Sequence, residues 1–160
     1  MARDTTLVRG TERLLARIKL IRETIDPPGL MDDIANLIKK RVLQRFDRQV
    51  DPNGVKWRPL EPSTIARKRR GGYGGKAALV RTGKLRDSIK VIRGQAGSRY
   101  TNTGLGFRIG IENPEIAKYA AVQNRGSRHV TARKFLGIGR SDIAAVEALL
   151  RRRVKRLQGI

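Results

Sequence analysis

The segment Leu105-Gly106-Phe107-Arg108-Ile109-Gly110-Ile111 alternates large apolar residues with glycine or arginine. This period of two is typical of a β-strand that buries one face. A shorter apolar run, Ile89-Lys90-Val91-Ile92, comes before it, and residues 94–104, rich in Gly, Ser, Thr and Asn, connect the two. We therefore predict an antiparallel hairpin with a long tip, made of strands near 88–93 and 105–111.

Helical periodicity lies on both sides of this hairpin. Residues 30–47 carry an apolar stripe, with Asp at the start and Lys or Arg toward the end. Residues 141–157 carry another stripe, with an Arg-rich outer face and Ser141 or Asp142 as the expected cap. These patterns predict an α+β fold, in which an antiparallel sheet built on the long hairpin packs against two or three helices in a single domain.

A third helical pattern, over residues 11–25, is separated from the rest by Pro27-Pro28-Gly29. Proline removes a backbone donor and disfavours a helical residue before it, so the helix must end there. We expect an N-terminal helical arm over residues 1–26 and an α+β domain over residues 27–160. Two arrangements stay open for the arm: it docks on a neighbouring subunit, or it is an integral helix of the core.

The region between the first long helix and the hairpin is rich in turn signals. Asp51-Pro52-Asn53-Gly54 has the chemistry of a turn. Trp57 follows it in an extended segment, where a core role is favoured over a role as an anchor for a partner. Ser63 or Thr64 is expected to cap a short helix through Lys68. The glycines that follow predict a mobile loop over residues 69–80.

Two further segments complete the expected elements. Residues 82–88 resemble a turn or a single helical turn that leads into the first strand. Residues 116–122, which follow Pro114, are apolar enough to pack as either a helix or a strand, and residues 124–127 are expected to turn.

Charge is the dominant feature of the composition. The 160 residues include 36 Lys or Arg and 14 Asp or Glu, so the formal net charge is +22. Residues 63–93 carry +9 and residues 125–160 carry +8 of it. Such clusters suit contact with nucleic-acid phosphates or with an acidic protein surface. The alternative is that they only form a solvated face, with no binding partner. The candidate contact residues are Arg67, Lys68, Arg69, Arg70, Lys76, Arg151, Arg152, Arg153, Lys155 and Arg156.

Residues that support catalysis or metal binding are scarce. The chain has no cysteine, and its only histidine, His129, has no second histidine or adjacent carboxylate. The run Gly71-Gly72-Tyr73-Gly74-Gly75-Lys76 departs from the phosphate-loop pattern at two positions. We therefore expect no catalytic residue, no metal site, no cofactor and no enzyme activity. No apolar window approaches membrane-spanning length and the start, MARDTTLVRG, has no signal-peptide core, so no membrane partner is expected.

Four motifs occur in an order that resembles the phage virion morphogenesis family of tail completion proteins. They lie in residues 45–68, around Asp51-Pro52-Asn53-Gly54 and Trp57, and in residues 79–89, around Thr82-Gly83. The others are Tyr119-Ala120-Ala121-Val122-Gln123 with Gly126, and Ala132-Arg133-Lys134-Phe135-Leu136-Gly137, where Lys134 stands at the family's usual proline.

The resemblance implies a structural virion protein of Mu-type and P2-type tailed phages, made in the host bacterial cytoplasm. It implies a position in the neck, at the head–tail junction, where the finished tail joins the DNA-filled head. The implied partners are other neck and tail proteins, and the implied assembly is a homo-oligomeric ring, expected to be a hexamer from tail symmetry, with non-specific contact to phage DNA. A sequence-independent nucleic-acid-binding protein is the alternative.

Overall fold

The computed structural model describes residues 29–75, 77–93 and 107–157, together with Leu14, Ala16 and Ile18. In chain order the elements are α1 (Leu30–Arg48), α2 (Pro62–Arg70), α3 (Lys84–Asp87), β1 (Ile89–Arg93), β2 (Phe107–Ile111), α4 (Pro114–Arg125) and α5 (Arg140–Leu157). The predicted α+β class is confirmed. The connector over residues 94–104 and most of the predicted helix over 11–25 lie outside the described residues.

The two strands pair as the alternation predicts. They are antiparallel, with Ile89 opposite Ile111 and Val91 opposite Ile109. Ile89, Phe107 and Ile111 are buried. Val91 and Ile109 are partly buried against the same core, so both strands present their odd-numbered apolar residues to one face.

Helix α1 forms the centre of the fold and packs against both strands and against α5. Its stripe follows helical spacing, and Ile34, Ile38, Val42 and Phe46 are all buried. Asp33 near the start of α1 pairs with Arg153 near the end of α5, whereas Arg41 contacts Asp142 at the start of α5. The two long helices therefore run antiparallel.

The N-terminal residues that the structure describes join this core. Leu14, Ala16 and Ile18 are helical. Leu14 and Ile18 are buried in the same apolar cluster as Leu30 and Ile34, whereas Ala16 is exposed.

Several predictions about the middle of the chain are refined. The short helix begins at Pro62, so the prediction that Ser63 or Thr64 caps it is wrong and Glu61 is the N-cap residue. The helix extends through Arg70, so the predicted loop over 69–80 begins two residues too early, and residues 71–75 form turns. Residues 84–87 form one helical turn, as expected. Residues 116–122 are helical within α4, because Pro114 occupies its first turn and the Asn113 side chain caps it by accepting the Ile116 N–H at 3.1 Å.

Candidate functional site

The segments that carry the four family-like motifs lie against one another in the folded chain. The Trp57 indole N–H donates to the Lys134 carbonyl at 3.0 Å. The Arg133 guanidinium donates to the Arg58 carbonyl at 3.1 Å, and the Arg133 backbone N–H donates to the Gln123 carbonyl at 2.8 Å. Residues far apart in sequence are thereby held in one scaffold.

The same scaffold contains the largest buried rings. The Asn124 side-chain oxygen accepts the backbone N–H groups of Phe135 and Leu136 at 2.8 and 2.9 Å. This anchors Phe135, whose ring lies 5.1 Å from that of Phe46, and Phe46 in turn makes an edge contact with Trp57 at 5.7 Å. The predicted core role of Trp57 is confirmed, since this side chain is buried.

The segment around Thr82-Gly83 is joined to the end of α1. The Gln49 side chain accepts the Ala78 N–H at 2.8 Å and donates to the Ala78 carbonyl at 3.2 Å. Leu85 and Ile89 are buried in the core. The most distinctive sequence motifs therefore include the residues that build the scaffold.

Inside the scaffold, Arg45 of α1 and Asp142 of α5 form a buried ion pair. Arg45 also donates to the carbonyls of Phe135 and Gly137 at 2.7 and 2.9 Å. Burial lowers the pKa of the Arg45 guanidinium, and the Asp142 carboxylate opposes that shift. The pair fixes the 135–137 segment to both long helices.

The prediction that Ser141 or Asp142 is the N-cap of the last helix is wrong. The helix begins at Arg140, so Gly139 precedes it and Asp142 occupies the third helical position. From there its carboxylate accepts the Gly139 N–H at 2.8 Å, which is the reach-back half of a capping box. The same carboxylate accepts Arg41 at 2.5 Å as well as Arg45.

The first cluster of candidate contact residues, here the α2 basic group, is Arg67–Arg70. Arg67, Arg69 and Arg70 are exposed. Lys68 is half-buried, and its ammonium donates to the Ala77 carbonyl at 2.9 Å. Lys76 lies outside the described residues. This end of α2 therefore presents several guanidinium groups to solvent.

The second cluster, here the C-terminal basic group, comprises Arg151, Arg152, Arg153, Lys155 and Arg156. All except Arg153 are exposed. Arg153 is half-buried and lies 3.7 Å from the Asp33 carboxylate. Arg152, Arg153 and Arg156 line a shallow cavity of about 180 Å³ together with Asp33 and Leu149.

The fold does not bring the two basic groups together. The C-terminal basic group contacts the first turn of α1 through Asp33. The α2 basic group connects through Ala77 and Ala78 to Gln49, just beyond the end of α1. Asp33 and Gln49 are 16 positions apart, about 24 Å along a helix axis. The two basic groups are thus connected to opposite ends of α1.

Residues 29–75, 77–93 and 107–157 contain no group of three His, Asp or Glu side chains placed to hold a metal ion. His129 is exposed. Among the helices that the structure describes, none is long and apolar enough to cross a membrane.

Comparison with known proteins identifies the class. The chain belongs to the phage virion morphogenesis family, whose pattern matches residues 8–155. It is thus a structural component of a phage virion with a part in virion assembly, where it interacts with other phage structural proteins. The Mu-like prophage FluMu G protein 1 of Haemophilus influenzae is 24% identical over 147 residues, which cover 92% of each chain. No solved structure gives a significant match.

Proposed function

We propose that this protein is a tail completion component of the neck, which joins the finished tail to the DNA-filled head. The observation that carries the proposal is the connection of two basic groups to opposite ends of α1 in a member of a virion morphogenesis family. A joining protein needs two surfaces that engage different neighbours at the same time, and a rigid element between them keeps their spacing fixed.

The assembled form that we propose is a homo-oligomeric ring, with the hexamer expected from tail symmetry. A ring at the end of a tube repeats head-to-tail contacts until it closes. In such a ring the basic groups of successive subunits form two circular bands of positive charge, which suit acidic rims on the neighbouring neck and tail proteins.

The direct test is electron microscopy of particles made by a phage that lacks this protein. Filled heads beside complete but unattached tails are the result that we expect. Empty heads would instead place the protein in DNA packaging and overturn the proposed joining role.

A second candidate function, sequence-independent DNA binding, is favoured by the three arginines that line the cavity beside Asp33. It is disfavoured for single strands because, among the aromatic residues that the structure describes, Phe46, Trp57, Phe107 and Phe135 are buried, which leaves only the tyrosines as platforms on which bases could stack. The purified protein tests this candidate by its affinity for duplex DNA as salt rises. For a DNA binder, the logarithm of the binding constant falls as the logarithm of the salt concentration rises, by about 0.9 for each phosphate neutralised. A joining protein is expected to bind DNA only weakly.

A further inference from the structure

A groove of about 790 Å³ opens on the surface between residues contributed by α2, residues 79–85, α4 and residues 129–131. Part of its lining is apolar and comes from Leu60, Leu79, Ile116 and Tyr119. Tyr119 is 50% exposed, although its neighbour Ala120 is buried. The groove therefore leaves an aromatic ring and aliphatic surface in contact with water.

The charged lining of the groove is mainly positive. It includes five Lys or Arg side chains and two Glu side chains. Arg67, Arg81 and Lys84 are exposed members of this set, whereas Arg133 is buried and donates to the Arg58 and Pro59 carbonyls. Apolar surface bordered by cations suits a ligand that combines aliphatic side chains with carboxylates.

Specific interactions hold the groove in shape. The guanidinium of Arg81 lies 5.1 Å from the centre of the Tyr73 ring, a cation–π contact. The Tyr73 N–H donates to the Lys68 carbonyl at 2.8 Å, which folds the glycine-rich turn back onto α2. Leu79 adopts a left-handed backbone conformation, with φ of 61°, which is unfavourable for a non-glycine residue.

We propose that the groove binds an acidic, aliphatic segment of another virion protein, with its carboxylates beside Arg81 and Lys84 and its aliphatic side chains against Tyr119 and Ile116. The proposal rests on the proposed function, since it specifies the kind of partner that the joining protein engages. A second copy of this chain is a poor occupant of the groove itself, because its 36 Lys or Arg against 14 Asp or Glu supply few carboxylates to the positive lining, so the subunit contacts of the proposed ring lie elsewhere. DNA is also a poor occupant, because its outer surface is dominated by phosphates and presents few aliphatic groups to the apolar lining.

The test is photo-crosslinking in assembled particles, with Tyr119 replaced by p-benzoylphenylalanine. Mass spectrometry then identifies the crosslinked peptide, and we expect a segment of another virion protein with more Asp and Glu than Lys and Arg, and with aliphatic residues. Lys118 provides the control position, since it is exposed on the same helix but does not line the groove. A crosslink to a second copy, to DNA or to a basic segment would overturn the proposal, as would equal yields from positions 118 and 119.

Charge reversal provides the matched comparison. The double variant Arg81→Glu/Lys84→Glu is expected to lower the crosslink yield from position 119 about tenfold, while Lys118→Glu changes it by less than about twofold. Equal yields in the two variants would contradict the proposal, provided that circular dichroism shows both to be folded.

Cryo-electron microscopy of the same particles locates the protein independently. An acidic segment crosslinked from a protein outside the neck would retain the groove proposal and overturn the head–tail assignment. An empty groove on a protein located at the neck would overturn the groove proposal and retain the head–tail assignment.

Discussion

Arg45 of α1 and Asp142 of α5 lie 97 positions apart in sequence and form an ion pair whose side chains are only 5% and 2% exposed. Arg45 also binds two carbonyls of the 135–137 segment, so one guanidinium connects three parts of the scaffold. Removal of one partner from such a pair leaves a buried charge without compensation, which costs far more than the loss of an exposed pair.

The first prediction is that Asp142→Asn destabilises the protein by about 3–5 kcal/mol, because it leaves the Arg45 guanidinium buried beside a neutral amide. Urea denaturation measures the change. Asp47→Asn is the control, since Asp47 forms an exposed pair with Arg86 at 3.2 Å, and this variant is expected to lose less than about 1 kcal/mol. Equal losses in the two variants would contradict the structural role given to Asp142.

The second prediction concerns the close approach of Gly139 to the turn over residues 51–54. A Cβ atom at Gly139 would lie 1.8 Å from the Pro52 carbonyl oxygen, so the backbone must move to admit it. Gly139→Ala is therefore expected to cost at least about 2 kcal/mol in thermal or urea unfolding.

Gly54→Ala is the matched control for this close approach. Gly54 lies in the same turn, has φ of 87° and has open space at its Cβ position. Alanine there is expected to lower the free energy of unfolding by about 1 kcal/mol, because only its left-handed backbone conformation is unfavourable. A Gly139 variant as stable as the Gly54 variant would show that the two segments do not pack as described.

The third prediction tests whether the N-terminal helical residues belong to the core of their own subunit. Ile18 is 2% exposed within the single chain, so Ile18→Ala is expected to cost about 2–4 kcal/mol. Ala16→Ser, at an exposed position of the same segment, is expected to change stability by less than about 0.5 kcal/mol.

Deletion of residues 1–26 separates the two arrangements of the proposed arm. An insoluble product supports an integral helix. A stable monomer that no longer assembles would instead show an arm that docks on a neighbouring subunit.

The fourth prediction concerns the glycine-rich turn, which we propose as an assembly element. A variant without residues 71–75 is expected to remain folded, because Gly71 to Gly75 are half-buried or exposed and lie outside the core. It also lacks Tyr73, which lines the groove, so we expect a large loss of infectious particles. The measurement is the phage titre together with the melting temperature of the purified variant. A normal titre would show that the turn has no part in assembly.

The sequence predicted the elements well because their periodicities are local. The alternation through Phe107, Ile109 and Ile111 identified β2, and the stripe through Ile34, Ile38 and Val42 identified α1. The ion pair between Arg45 and Asp142 was not predicted, because it depends on the packing of α1 against α5, which local sequence patterns do not determine.

A signal for the pair was nevertheless present. Arg45 stands seven positions after Ile38, on the buried face of α1, and Asp142 precedes Val146 and Leu150 at intervals of four, on the buried face of α5. Opposite charges on the apolar stripes of two helices indicate a buried pair. The groove had no comparable signal, since Arg67, Arg81 and Tyr119 meet only through the packing of three separate segments.

The central claim is that the cationic surfaces join the head to the tail, and charge reversal of the C-terminal basic group tests it most directly. Glutamate replaces Arg151, Arg152, Lys155 and Arg156, which are exposed, while Arg153 is retained for its contact with Asp33. Electron microscopy and DNA quantification of the resulting particles are expected to show full heads, intact packaged DNA and unattached tails. Failed packaging with normal head–tail joining would contradict the account and favour a nucleic-acid-binding role.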